Sequence, residues 1–268
     1  MAKDERIVQM RHVKSDVLDH PRVNRKKGIY LLPNLLTTGA LFCGFYAVLT
    51  GFGGHQEWAC IAVFTALFLD GLDGKVARLT QTESDFGAQY DSLADMVSFG
   101  VAPAVIAYGW GLNSLGNLGL AAVFVFTSCA ALRLARFNVQ SGIRESSFRN
   151  FIGLPSPVAA AVVVGLVWST HSLETSIIRS VMGALITVSA GLLMVSSFKY
   201  PSFKHIDFRG KVPFFVVFCM VMTFVLVSID PPRILFIVAV LFCFYAPSRW
   251  LWDFFQSKFL KYKSETTD

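Results

Sequence analysis

Four aspartates, Asp70, Asp73, Asp91 and Asp95, stand on either side of a short polar stretch, just after the apolar run from Trp58 to Leu69. Asp70 and Asp73 are three residues apart and Asp91 and Asp95 four apart, so each pair shares one face of a helix. The connecting segment LTQTESDFG is short, which predicts antiparallel neighbouring helices whose acidic faces converge on one cavity. Such carboxylates need a counter-charge. An Asp at the centre of a membrane span costs on the order of 2.5–3.5 kcal/mol, and like charges sharing a site repel. Lys75 and Arg78 are too few to neutralise four carboxylates, whereas two divalent cations would suffice. A ligand set without His or Cys points to hard ions, Mg2+ or Mn2+. Magnesium sites are commonly completed by substrate phosphates, and paired metals serve phosphoryl-type displacement. Gly74 and Gly87 remove side chains where either a ligand or a neighbouring helix would come close. Arg78 suits phosphate oxygens or a simple anchoring role at the helix end. Asp85 falls outside the spacing and reads as solvated loop. A proton or cation path through a transporter is the other chemistry that intramembrane acids serve.

The elements that position these residues follow from composition. The chain has 268 residues, 54% of them hydrophobic, with 25 Phe and only 16% charged; mean hydropathy is +0.53. Soluble domains carry about 25% charged residues, and their apolar runs rarely reach the roughly 20 residues that cross a bilayer. Apolar helices are expected at about 31–51, 57–79, 88–110, 117–138, 154–170, 177–198, 212–229 and 232–251. The alternating ten-residue segments of a membrane β-barrel are absent from the sequence. The fold class is therefore all-α, a polytopic membrane bundle of about eight helices. A basic segment, 1–30, precedes the embedded domain, 31–251, and a basic tail, 252–268, follows it. The first segment is polar, without the apolar core of a cleavable leader, and has apolar positions at the spacing of a short interfacial helix. The five cysteines are scattered singly and form no CxxC pair.

The charge distribution orients this bundle. Of the 24 Lys and Arg, all but Arg179 and Arg233 fall at the N-terminus, at the C-terminus or in every second connector. The excess of Lys and Arg on cytoplasmic loops then places both termini and the aspartate cluster at the cytoplasmic face. This topology accounts for the net charge of +6, and no nucleic-acid readout element accompanies it.

The spacing Asp70-x2-Asp73-Gly74-x2-Ala77-Arg78-x8-Gly87-x3-Asp91-x3-Asp95 resembles, without a mismatch, the signature of the CDP-alcohol phosphatidyltransferases. The stretches LPNLLTTGALFCGF, SLADMVSFGVAPA, LRLARFNV, IGLPSP and KYPSFK resemble the serine-using bacterial branch of that family. The resemblance implies a six-helix core, here with two C-terminal helices added, a homodimer, and a place in the inner membrane. It implies transfer of a phosphatidyl group from CDP-diacylglycerol to L-serine. Glycerol 3-phosphate, inositol phosphate or choline are the alternative acceptors. By the same resemblance Asp70, Asp73 and Asp91 are ligands to two divalent cations, and Asp95 is a ligand or near-ligand and the general base. Asn34, Gly74, Arg78 and Ser84 contact the CDP-diacylglycerol. A serine carboxylate calls for a cation, and Arg133 and Arg136 within the helical LRLARFN suit it better than Arg144 and Arg149 of the looser loop.

Overall fold

The computed structural model describes residues 31–82, 84–143, 150–174, 176–201 and 214–265. The chain runs through helix α1 (Leu31–Phe52), α2 (Gln56–Thr80) and α3 (Asp85–Asp95). A π-helical segment (Met96–Val101) continues α3 into α4 (Ala102–Trp110). There follow α5 (Asn117–Ile143), α6 (Ser156–Thr170), α7 (Ile177–Val195), α8 (Phe214–Ile229) and α9 (Pro231–Glu265). Every stretch expected to span is helical. Among the described residues, five are long and apolar enough to cross a membrane: Leu32–Phe52, Asp85–Trp110, Asn117–Val139, Ile177–Val195 and Pro231–Arg249. Of the others, α2 carries Asp70, Asp73, Lys75 and Arg78 in its second half, and α6 and α8 are short, with 15 and 16 residues. The expected interfacial segment 1–30 lies outside the described residues, as do Arg144, Arg149, Lys204, Arg209 and Lys211.

Helix α6 is the centre of the bundle. Ala159 to Gly165 are buried without interruption, and α2, α4, α7 and α9 all pack against it. A helix buried on every side has no polar face, which is why its sequence shows no amphipathic stripe. Helices α1 and α2 pack along most of their length through small residues. A Cβ on Gly39 would meet Leu69 at 3.4 Å, and one on Gly51 would meet Ala59 at 3.6 Å, so the two helices run antiparallel. Small side chains of this kind let membrane helices approach closely.

Hydropathy did not anticipate one element, a two-stranded antiparallel ladder. Strand β1 (Asn150–Ile152) pairs with β2 (Lys199–Pro201), Phe151 opposite Tyr200. Its outer anchor is Tyr200, fully buried, whose hydroxyl donates to the Cys243 carbonyl of α9 at 3.0 Å. The ladder thus ties the entry of α6 to the last helix.

The π-helical segment starts immediately after Asp95. Such segments interrupt the regular bonding ladder, and neighbouring side chains re-satisfy the freed groups. Thr127 of α5 donates to the Gly100 carbonyl at 3.4 Å, and buried Ser98 donates to the Ala40 carbonyl of α1 at 3.1 Å. Gly44 lies against the same serine; a Cβ there would sit 2.7 Å from Ser98 Cα, backbone that cannot step aside. At Gly71 a Cβ would meet nothing within 4 Å. Gly44→Ala should therefore lower the melting temperature of the detergent-solubilised protein, overpacking costing about 1–3 kcal/mol. Gly71→Ala should leave it unchanged or slightly raised, Ala being the better helix former by roughly 0.5–1 kcal/mol. Equal melting temperatures for the two variants would contradict this packing.

Candidate active site

The two acidic helices do not pack on each other as their short connection suggested. Each lies instead against α1, and the ends of α2 and α3 stand apart around a wedge. Two adjacent threonines of α1 hold the wedge open. Thr37 donates to the Asp73 carboxylate of α2 at 2.8 Å, while Thr38 shares a 2.9 Å hydrogen bond with the Tyr90 hydroxyl of α3. Neighbouring residues on a helix point about 100° apart, so consecutive side chains reach two different partners.

The connector is closed at both ends by caps. Gln81 takes the left-handed conformation, φ 53°, and its N–H bonds back to the Ala77 and Arg78 carbonyls. Ser84 caps α3 by accepting from the Gly87 N–H at 3.1 Å. A hydroxyl that accepts in this way keeps its own O–H for a ligand. Asp85 is the first residue of α3 and lines the wedge, so it is not a loop residue remote from the site.

Within the wedge is a cavity of about 400 Å³. Asn34 and Thr37 of α1, Asp73, Gly74 and Ala77 of α2, and Gly87, Ala88 and Asp91 of α3 form its walls, closed by Thr82, Ser84 and Asp85. A Cβ on Gly74 would meet nothing within 4 Å, so this glycine is not there for helix packing; it widens the cavity. Gly87 is tighter, with Ser84 Oγ 3.1 Å and Asn34 Oδ1 3.6 Å from the position of a Cβ. Three of the four expected donor contacts, Asn34, Gly74 and Ser84, therefore share one cavity. The fourth, Arg78, is exposed and donates through Nε to the Gly74 carbonyl at 2.8 Å.

Deeper in, Asp70, Asp91 and Asp95 each present a carboxylate oxygen within 4.8 Å of the others. Asp73 is turned toward Thr37 instead and faces the cavity. At that spacing two unit charges in a medium of effective dielectric about 20 repel by roughly 3.5 kcal/mol. The oxygens-only donor set suits a hard divalent cation, and its mutual repulsion is what such an ion relieves. Arg133 of α5, which is not among the cavity walls, acts electrostatically on Asp95 without forming a direct ion pair. Its Nη1 donates to Ser156 Oγ at the start of α6. Arg136 is exposed and does not join the cluster. Asn138, one turn further, accepts from Ser92 Oγ at 2.9 Å and donates to Gln89 at 3.2 Å, fastening α3 to α5.

Sequence reasoning passed over Thr37, Asp85 and Ser156. Thr37 was detectable, being three residues beyond Asn34 on the same helix face. Ser156 was not, because nothing local links it to Arg133, 23 residues away.

Comparison with known proteins agrees with this geometry. The CDP-alcohol phosphatidyltransferase profile matches residues 30–195. A CDP-diacylglycerol–serine O-phosphatidyltransferase of Helicobacter pylori is 38% identical over 240 residues, covering 88% of this chain and 98% of that protein. The protein of the same name from Bacillus subtilis is 34% identical over 173 residues, 65% of this chain and 91% of that one. An archaetidylserine synthase of Methanothermobacter thermautotrophicus is 36% identical over 172 residues, 63% of this chain and 69% of its own. With seven of its eight signature residues, all but Arg78, gathered around one cavity and one carboxylate cluster, the chain belongs to the CDP-alcohol phosphatidyltransferase family.

Proposed function

We propose that the protein is a membrane enzyme that transfers the phosphatidyl group of CDP-diacylglycerol to the hydroxyl of L-serine and releases CMP. The observation that carries this reading is the order of the site: a cavity walled by Asn34, Gly74 and Ser84, then the carboxylates, then Arg133. A donor on one side and a small carboxylate-bearing acceptor on the other would meet at Asp95. The names of the similar proteins, one of them aligned over nearly its whole length, support serine as that acceptor.

In this reading the CDP moiety occupies the cavity, with Ser84 and Asn34 offering hydrogen bonds and Gly74 leaving room for the diphosphate. Arg78 closes over it from the edge. Asp95 takes the proton of the serine hydroxyl as its oxygen bonds to the lipid-linked phosphorus, and the bond from that phosphorus to the CMP oxygen breaks. Asp70, Asp73, Asp91 and Asp95 are the residues that would hold two divalent cations, Mg2+ or Mn2+. Bound there, such ions would offset charge on the transferring phosphate and on the departing CMP. The basic connectors support eight spans with both termini and the carboxylates at the cytoplasmic face of the inner membrane, where a lipid headgroup is accessible. Segments 1–30 and 252–268 would flank the embedded domain 31–251, and a homodimer completes the proposal.

Purified protein given Mn2+ or Mg2+, CDP-diacylglycerol and labelled serine should release CMP and yield labelled phosphatidylserine. Release of CMP only with a different alcohol would overturn serine as the acceptor, and none with any alcohol would overturn the enzyme reading. Asp95→Asn should reduce turnover by about 10²–10⁴-fold, the usual contribution of a general base, while CDP-diacylglycerol still binds. Undiminished turnover in that variant would remove Asp95 from the role. Gly74→Val should fold with an unchanged melting temperature, since its side chain enters open space, yet raise the KM for CDP-diacylglycerol. An unchanged KM would show that the donor does not occupy this cavity.

A further inference from the structure

Ser156 has no part in the signature motif, yet it is fully buried and its hydroxyl accepts from Arg133 Nη1. Its position is tightly determined. Gly153 takes φ 83° and donates to the Phe198 carbonyl at 2.8 Å, Leu154 donates to Leu193 at 3.0 Å, and Pro155 leads directly into α6. A Cβ at Gly153 would come within 3.2 Å of both the Met194 carbonyl carbon and the Ser196 oxygen, so the turn requires glycine in both conformation and space. With the ladder of β1 and β2 behind it, this turn fixes the serine hydroxyl in space.

Arg133 is correspondingly constrained, and its bonds are incomplete. Its Nε is buried without a hydrogen-bond partner. The guanidinium faces Asp95 without pairing to it. A buried donor of this kind calls for an acceptor, and a carboxylate bound through two parallel N–H groups is the acceptor that arginine geometry matches best. A molecule that places a hydroxyl at Asp95 and a carboxylate at Arg133 must be small, since the charge of Arg133 acts on Asp95 across the space between α5 and α3.

We propose that Ser156 is a positioning residue for acceptor selection: it holds the Arg133 guanidinium so that its remaining donors receive the carboxylate of an amino-acid acceptor. The proposal rests on the transferase reading above. The plain alternative is that the Arg133–Ser156 bond only ties α5 to α6.

The test compares the unmodified full-length protein with Ser156→Ala, Ser156→Thr and Arg133→Lys. The readouts are KM for L-serine, KM for CDP-diacylglycerol, the rate ratio of L-serine to serinamide, and equilibrium binding of labelled L-serine without the lipid donor. Ser156→Ala should raise the KM for serine roughly tenfold or more, as expected when an orienting group is misplaced. It should also weaken serine binding in parallel, lower the preference over serinamide, and leave the KM for CDP-diacylglycerol within about twofold. Ser156→Thr, which keeps the hydroxyl, should restore serine binding. Arg133→Lys, which keeps the charge but not the paired donors, should show the same serine-specific loss and serves as the readout if Ser156→Ala does not fold. Unchanged serine binding and serinamide discrimination in Ser156→Ala, or in Arg133→Lys where the first is unfolded, would overturn the proposal. So would a rise in both KM values together with a lowered melting temperature, which is the signature of a packing role alone. If the unmodified protein releases CMP with another alcohol but not with serine, the acceptor reading itself fails, and the proposal falls with it.

Discussion

Three carboxylates held with oxygens within 4.8 Å of one another, inside a bundle rich in apolar side chains, push their helices apart. Charge on one of them raises the cost of charge on the next, and Asp70 and Asp95 share a side-chain hydrogen bond, so a proton held between them offsets part of the repulsion. The remaining structure is arranged to bear this load. Helix α1 holds α2 through small residues and through Thr37, and it holds α3 through Thr38. Asn138 fastens α3 to α5 from the other side, and Arg133 lends its charge to Asp95. The π-helical segment directly behind Asp95 is pinned by Ser98 to α1 and by Thr127 to α5. Positive charge brought by cations would relieve what these contacts only contain.

The same constraint explains why the cavity is a wedge and not a helix interface. Had α2 and α3 packed together, their acidic faces would have met directly with no volume for a diphosphate. Anchoring both to α1 keeps the carboxylates close at one depth while leaving about 400 Å³ above Asp73 and Asp91. Gly74 keeps that volume clear, and the Ser84 cap turns a helix-initiation requirement into a wall bearing a hydroxyl. Large apolar side chains such as Leu35, Phe42, Phe68 and Phe86 project outward on these same helices. Acyl chains and headgroup can therefore be met by one set of elements.

Much of this was legible beforehand. Every expected span is a helix, because apolar periodicity is a property of neighbouring residues. Three of the four expected donor contacts line one cavity, and the spacing of three and four within each acidic pair made shared faces certain. The expectation of neighbouring acidic helices failed because a short connector brings helix ends together, not their lengths. Asp85 was set aside for lying off the motif, although a residue beginning a helix beside the cavity lines it regardless of register. Arg133 and Arg136 were indistinguishable in sequence. Three residues apart, they occupy overlapping helix faces, and only the packing of α5 against its neighbours half-buries one and leaves the other exposed.

The segment IGLPSP and the residues Lys199–Pro201 that open KYPSFK had no physical account until Gly153, Tyr200 and the ladder between β1 and β2 were in place. Their contribution is long-range: they aim Ser156 at Arg133. By itself the sequence determined the helices, the pairing of carboxylates on their faces and the chemistry those carboxylates permit, since each depends on residues within a turn or two. The tertiary structure alone decided which carboxylates meet, which arginine joins them and where the empty volume lies. Those outcomes depend on distances between helices, and such distances are set by small residues and buried hydroxyls far apart along the chain.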